Sequence, residues 1–156
     1  MLKKALFASV LAMSIAMTGC SDQKAEQKAP KVDPAGEVVK KLEGTSWELV
    51  MDGAAKSDCE ELPPLMEFLS KNRIAGNLGC NLINGNYQLD GKAFRFEAPA
   101  MTKRMCAPKT MELENRLTQM VADARYLTTM KGELMIWNER GELLARYRPE
   151  KVGACQ

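Results

Sequence analysis

The chain has 156 residues, 46% of them hydrophobic, with 22 Lys and Arg against 20 Asp and Glu. It contains no histidine, which excludes Ser-His and Cys-His nucleophilic catalysis and histidine-based metal sites. The near balance of charge provides no basic stripe for tracking a phosphate backbone and argues against nucleic-acid binding.

The chain opens "MLKKALFASVLAMSIAMTGCSDQ". Lys3 and Lys4 form a basic start, and residues 5–17 form an apolar core of signal-peptide length. Thr18, Gly19 and Cys20 then read as a bacterial lipobox. Residues 1–19 are therefore expected to be a lipoprotein signal peptide, with Cys20 the lipidated residue after cleavage. Several acyl chains on one cysteine anchor stably, where a single chain is marginal. Removing Lys3 and Lys4 makes basic and acidic counts equal. Ser21 after Cys20 favours the outer membrane by analogy with enteric sorting, while Asp22 argues the other way in bacteria that read the next position.

Residues 20–41 mix charges with Ala, Gln, Pro30, Pro34 and Gly36. So few large apolar side chains cannot bury a core, and this stretch reads as an acylated N-terminus and flexible tether. A flexible chain of that length spans on the order of 25 Å. The folded domain is expected over residues 42–149, followed by a tail, 150–156.

Within the domain, runs of period two alternate with turns. "TSWELVMDG" places Trp47, Leu49 and Met51 on one side; "LMEFLS" and "RIAGNLG" flank a Lys71-Asn72 turn. "NYQL-DG-KAFRF" predicts a hairpin about Asp90-Gly91, with Tyr87 opposite Phe94. "RYLTTM-KG-ELMIW" predicts a second hairpin about Lys131-Gly132, and "NERG" leads into "ELLARYR". Between the hairpins, Leu113, Leu117, Met120, Val121 and Ala124 recur at helical spacing. Thr110 could cap this helix, or Pro108 could occupy its first turn. Its apolar stripe is wide enough for docking on a sheet, and no wider. The predicted fold is α+β and mainly antiparallel β: a small closed or partly closed barrel-like sheet of about eight strands. One helix lies between strands five and six, covering or plugging the barrel.

The acidic cluster Asp58, Glu60 and Glu61 reads as a solvated loop, and no phosphate-binding glycine motif is present. With Cys20 set aside, Cys59, Cys80, Cys106 and Cys155 make an even set, as two disulfides in an exported protein require. Four cysteines allow three pairings, and spacing does not choose among them. Eleven methionines, with Met101 and Met105 near Cys106, offer soft ligands for Cu(I). Their scatter through strand and helix positions favours core packing. No metal site and no cofactor are expected.

"GTSWELV", "IAGNLGCNLINGNYQLDG" and "APAMTKRMCAP…MELENRL" together resemble the META domain family of HslJ-type heat-shock lipoproteins. The resemblance covers about residues 42–148. The Gly-Cys-Asn at 79–81 and the Thr-x-x-Met-Cys at 102–106 stand in the family's order, with a helix after them. It implies a small β-barrel-like fold, a Cys80–Cys106 disulfide and no established enzymatic activity. Cys59 and Cys155 depart from the family pattern and are expected to pair with each other, clipping the tail back.

The resulting expectation is a non-catalytic, lipid-anchored, monomeric envelope protein facing the periplasm, in the outer rather than the inner membrane. It would support envelope or heat stress, or tolerance of a novobiocin-type antibiotic, by binding another envelope component. Thr102, Lys103, Arg104, Met105 and Asn81 form the expected interaction surface. The alternative is a periplasmic carrier of a small ligand or Cu(I), using the barrel interior or the Met/Cys segment. Against it, Trp47, Tyr87, Phe94, Phe96 and Trp137 fill a small barrel.

Overall fold

The computed structural model describes residues 32–51 and 63–150. Eight strands run in chain order: β1 (Thr45–Leu49), β2 (Leu65–Leu69), β3 (Arg73–Asn77), β4 (Leu82–Asp90), β5 (Ala93–Met101), β6 (Tyr126–Met130), β7 (Glu133–Trp137) and β8 (Leu143–Pro149). One helix, α1 (Pro108–Asp123), lies between β5 and β6. Each strand pairs antiparallel with the next, and β8 returns to β1, so the sheet is a closed eight-stranded meander. Closure removes the free edges that short strands would otherwise expose.

The turns follow the residues that permit them. Met130 pairs with Glu133 across Lys131 and Gly132, both at positive φ, as the sequence predicts for this two-residue hairpin. The other predicted hairpin is shifted. Its turn residues are Gly91 and Lys92, so Asp90 faces Ala93, Leu89 faces Phe94 and Tyr87 faces Phe96. Moving the turn by one residue moves each cross-strand partner by two. Tyr87 and Phe94 are therefore diagonal neighbours, with ring centroids 6.1 Å apart. Further along the same pair the register slips, and Ala98 takes a φ of 44° opposite Gly85. This bulge bends both strands before they reach Met101.

The core is aromatic at its centre. Phe68 meets Tyr87 edge-on at 5.1 Å and Phe94 at 6.4 Å, in the offset geometry that ring quadrupoles prefer. Leu117, Met120, Val121 and Ala124 join the same cluster as Ile74, Ile83, Leu127 and Ile136. The predicted helical stripe is thus core, docked into the barrel. Pro108 opens α1 in its first turn after Ala107, where a missing N–H costs nothing.

Two seams of the barrel are not joined alike. β1 and β8 pair over three residues, with Glu48 opposite Arg148 and their side chains in contact at 2.6 Å. β5 and β6 share one residue pair, Ala93 with Tyr126, because the chain between them leaves to form α1. The gap is closed by residues that composition assigns to the tether. Glu37 exchanges both backbone hydrogen bonds with Thr129, at 2.8 and 2.9 Å. The buried Thr128 hydroxyl donates to Ala35 O and accepts from Trp137 Nε1. Lys92 Nζ contacts Asp33 and the Pro34 carbonyl, and Val39 and Leu42 enter the core. A Cβ on Gly36 would lie 2.7 Å from Thr128 Oγ1, so only glycine lets the strap lie this close. Residues 32–41 are therefore a strap on the barrel rather than part of the expected flexible tether.

Candidate functional site

The Gly-Cys-Asn turn sits between β3 and β4. Leu78 N donates to Asn81 O at 3.0 Å, closing a turn in which Gly79 has a φ of 119°. This places Cys80 beside Cys106, and the two form a disulfide with Cα atoms 5.9 Å apart. The bond spans 26 residues and ties the turn to the segment entering α1.

Beneath the disulfide lies a polar brace. Glu114, on the second turn of α1, is only 5% exposed. Its Oε2 accepts from Cys80 N at 3.1 Å and Asn81 N at 2.6 Å, and its Oε1 accepts from Asn81 Nδ2 at 2.7 Å. A buried carboxylate is tolerable when its lone pairs are occupied this way. Asn81 carries the connection onward. Its Oδ1 accepts from the Thr102 hydroxyl at 2.8 Å and from Arg104 N at 2.6 Å, while Nδ2 also donates to Arg104 O at 3.1 Å. Thr102 Oγ1 in turn accepts from Leu82 N at 3.0 Å. Helix, turn and loop are thereby locked by side chains that reach across 20 or more residues of sequence.

The loop so held, residues 102–107, has no regular structure and is solvent-facing. Lys103 and Arg104 are exposed. Met105 is 88% exposed and Leu82, beside Thr102, is 56% exposed. Asn81, expected on the interaction surface, is only 3% exposed and faces inward; it is the holder of the loop, not part of its outer face. Glu114 was not among the sequence candidates, although a signal exists. It stands three residues before Leu117 and seven before Val121, on the apolar face of the helix, where a carboxylate needs dedicated partners. Cys20, Cys59 and Cys155 lie outside the described residues, as do Asp58, Glu60 and Glu61.

The arrangement is a brace. Cys106 is committed to the disulfide and offers no thiolate to a soft metal. The Glu114 carboxylate is enclosed by three N–H donors rather than presented as a base. Among the described residues, no group of three His, Cys, Asp or Glu is placed to hold a metal ion. An open groove of about 390 Å³ lies elsewhere, between the strap and the β6–β7 turn, lined in part by Gly36, Glu37, Trp47 and Thr129.

Solved structures share this architecture. An NMR structure of a protein from Burkholderia xenovorans is 17% identical, with a TM-score of 0.58, and the match covers 80% of this chain and 97% of that one. A second NMR structure is 24% identical with a TM-score of 0.55, covering 69% and 90%. A DUF4847 family protein from Bacteroides vulgatus ATCC 8482 is 14% identical with a TM-score of 0.50, covering 69% and 93%. At these identities the likeness is one of fold. No curated protein matches the chain. The META domain family model matches residues 40–151, which is the barrel, its helix and the braced loop together: the chain belongs to the META domain family.

Proposed function

We propose that this protein is a non-catalytic, lipid-anchored component of the cell envelope, facing the periplasm and held in the outer rather than the inner membrane. It supports tolerance of envelope or heat stress, or of a novobiocin-type antibiotic, by binding another envelope component through Thr102, Lys103, Arg104 and Met105. The observation that carries this reading is the brace itself. Glu114, Asn81 and the Cys80–Cys106 disulfide fix a loop on which Lys103, Arg104 and Met105 are exposed among the described residues. Fixing a loop in advance lowers the entropy lost when it binds. The leader, the lipobox at Cys20 and membership of the META family support the envelope setting. The filled, aromatic barrel interior supports binding at the surface rather than carriage within.

The test is photocrosslinking in living cells. A photoreactive residue at Met105 should capture an envelope component, and one at Leu143, an exposed apolar position on β8, should not. Equal capture at both positions, or none at Met105 together with undiminished stress tolerance on deletion, would remove the basis of the reading.

A further inference from the structure

We infer that the braced loop is a membrane-contact tip: Leu82 and Met105 insert into an anionic phospholipid surface while Lys103, Arg104 and Lys109 engage its phosphates. The inference rests on the binding role proposed above and names the component bound.

Three observations carry it. Residues 98–111 contain Lys103, Arg104 and Lys109 and no acidic residue, in a chain whose charges otherwise nearly cancel. The nearest carboxylates along the chain are Glu97 and Glu112 at the borders, and Glu114 is turned inward against Cys80 and Asn81. The large apolar side chains at this tip are the most exposed in the described part of the molecule, Met105 at 88% and Leu82 at 56%. Leu82 is tied to the start of the loop, because Leu82 and Thr102 exchange hydrogen bonds through N, Oγ1 and O.

The small size and the composition of the tip select the partner class. A stable protein interface takes about 800 Å² from each side and seats its anchors in pockets. Here the candidates are a few exposed side chains on a six-residue loop, 102–107, and that of Leu82 next to its start. A fluid interface accepts such side chains without a matching pocket, and basic side chains next to apolar ones are the composition that binds anionic lipid. Thioether and leucine side chains enter the acyl boundary, while lysine and arginine stems reach back to the headgroups.

The experiment uses residues 20–156 carrying Cys20→Ala, so that neither the apolar leader nor an acyl chain contributes, and vesicles of phosphatidylcholine with or without phosphatidylglycerol. The chain should sediment with the phosphatidylglycerol vesicles, and salt should weaken the binding. Lys103→Glu, Arg104→Glu and Met105→Ser together should weaken it at least about tenfold, since each basic residue near an anionic surface is worth several-fold. Lys41→Glu with Arg73→Glu, also exposed but remote in sequence from the loop, should change it far less. Comparison of melting temperatures checks that the triple variant folds, and Lys109→Glu alone gives a second, milder variant. Equal sedimentation of wild type and loop variant overturns the inference. So does absence of sedimentation with a Met105 crosslink to an envelope protein, which would move the partner to protein and leave the docking surface standing.

Discussion

Two buried polar groups in this barrel are treated in opposite ways. Glu114 carries the costlier side chain, and its carboxylate is met by three donors. Tyr147, on β8, carries only a hydroxyl, yet among the described residues that hydroxyl has no partner and the side chain is 1% exposed. The difference follows from what each group does. Tyr147 fills volume at the centre of the barrel, where its ring is the useful part and the hydroxyl is an uncompensated burden. Glu114 fixes a turn and a loop that the barrel's own ladder does not reach, so its polar atoms are the useful part and the apolar helix face around it makes way. Thr128 lies between these extremes: fully buried, with its hydroxyl spent on joining the strap to β7.

Breaking the satisfied side of this contrast should have the largest effect. Glu114→Ala strands two backbone N–H groups and the Asn81 amide at once. At about 1–3 kcal/mol for each unmet buried donor, the loss should be about 4 kcal/mol, read as a fall in the denaturant midpoint. Removing the disulfide with Cys80→Ser and Cys106→Ser should cost about 3.5 kcal/mol, as chain entropy predicts for a closed loop of this size, with the loop's amides becoming faster in hydrogen exchange. Thr128→Val keeps the shape but strands Trp137 Nε1 and the Ala35 carbonyl. A cost of about 2 kcal/mol is expected, together with loss of exchange protection at Glu37.

The unsatisfied side should respond with the opposite sign. Tyr147→Phe removes a burial cost and loses no hydrogen bond, so it should stabilise by about 1 kcal/mol. Burial also pushes the Tyr147 phenol well above its ordinary value of 10.0, and Tyr87 is raised too, first by desolvation and then by Glu43. A phenol that holds its proton more tightly when folded contributes fully below pH 10 and loses that contribution as the pH rises beyond it. Melting temperature should therefore fall on the alkaline side of pH 10, and less steeply in Tyr147→Phe.

The parts of this molecule legible from sequence are those governed by local rules. Lys131-Gly132 specifies its turn, the 113–124 stripe specifies its docking face, and the eight period-two runs specify the strands. Asp90-Gly91 shows the limit of such rules. The dipeptide marks the hairpin, but the turn closes one residue later, with Leu89 opposite Phe94 and the core-facing side chains on the same face in either register. The strap was illegible because it is held by backbone hydrogen bonds and close approach at Gly36, which leave little hydrophobic trace. Glu114 and Asn81 meet across 33 residues. A carboxylate on an apolar helix face says that a partner exists without saying which.

The strap also sets where the barrel bears load. A pull applied along the chain ahead of Val32 reaches the Asp33–Lys92 contact and the Glu37–Thr129 hydrogen bonds before it reaches β1. Those bonds act as a mooring, so the domain is held by its β5–β6 seam rather than by the start of its first strand. Releasing the strap would free about ten residues, at up to ~3.5 Å each. Where the chain first takes hold of the barrel is thus a property of the Thr128–Ala35 and Thr129–Glu37 contacts.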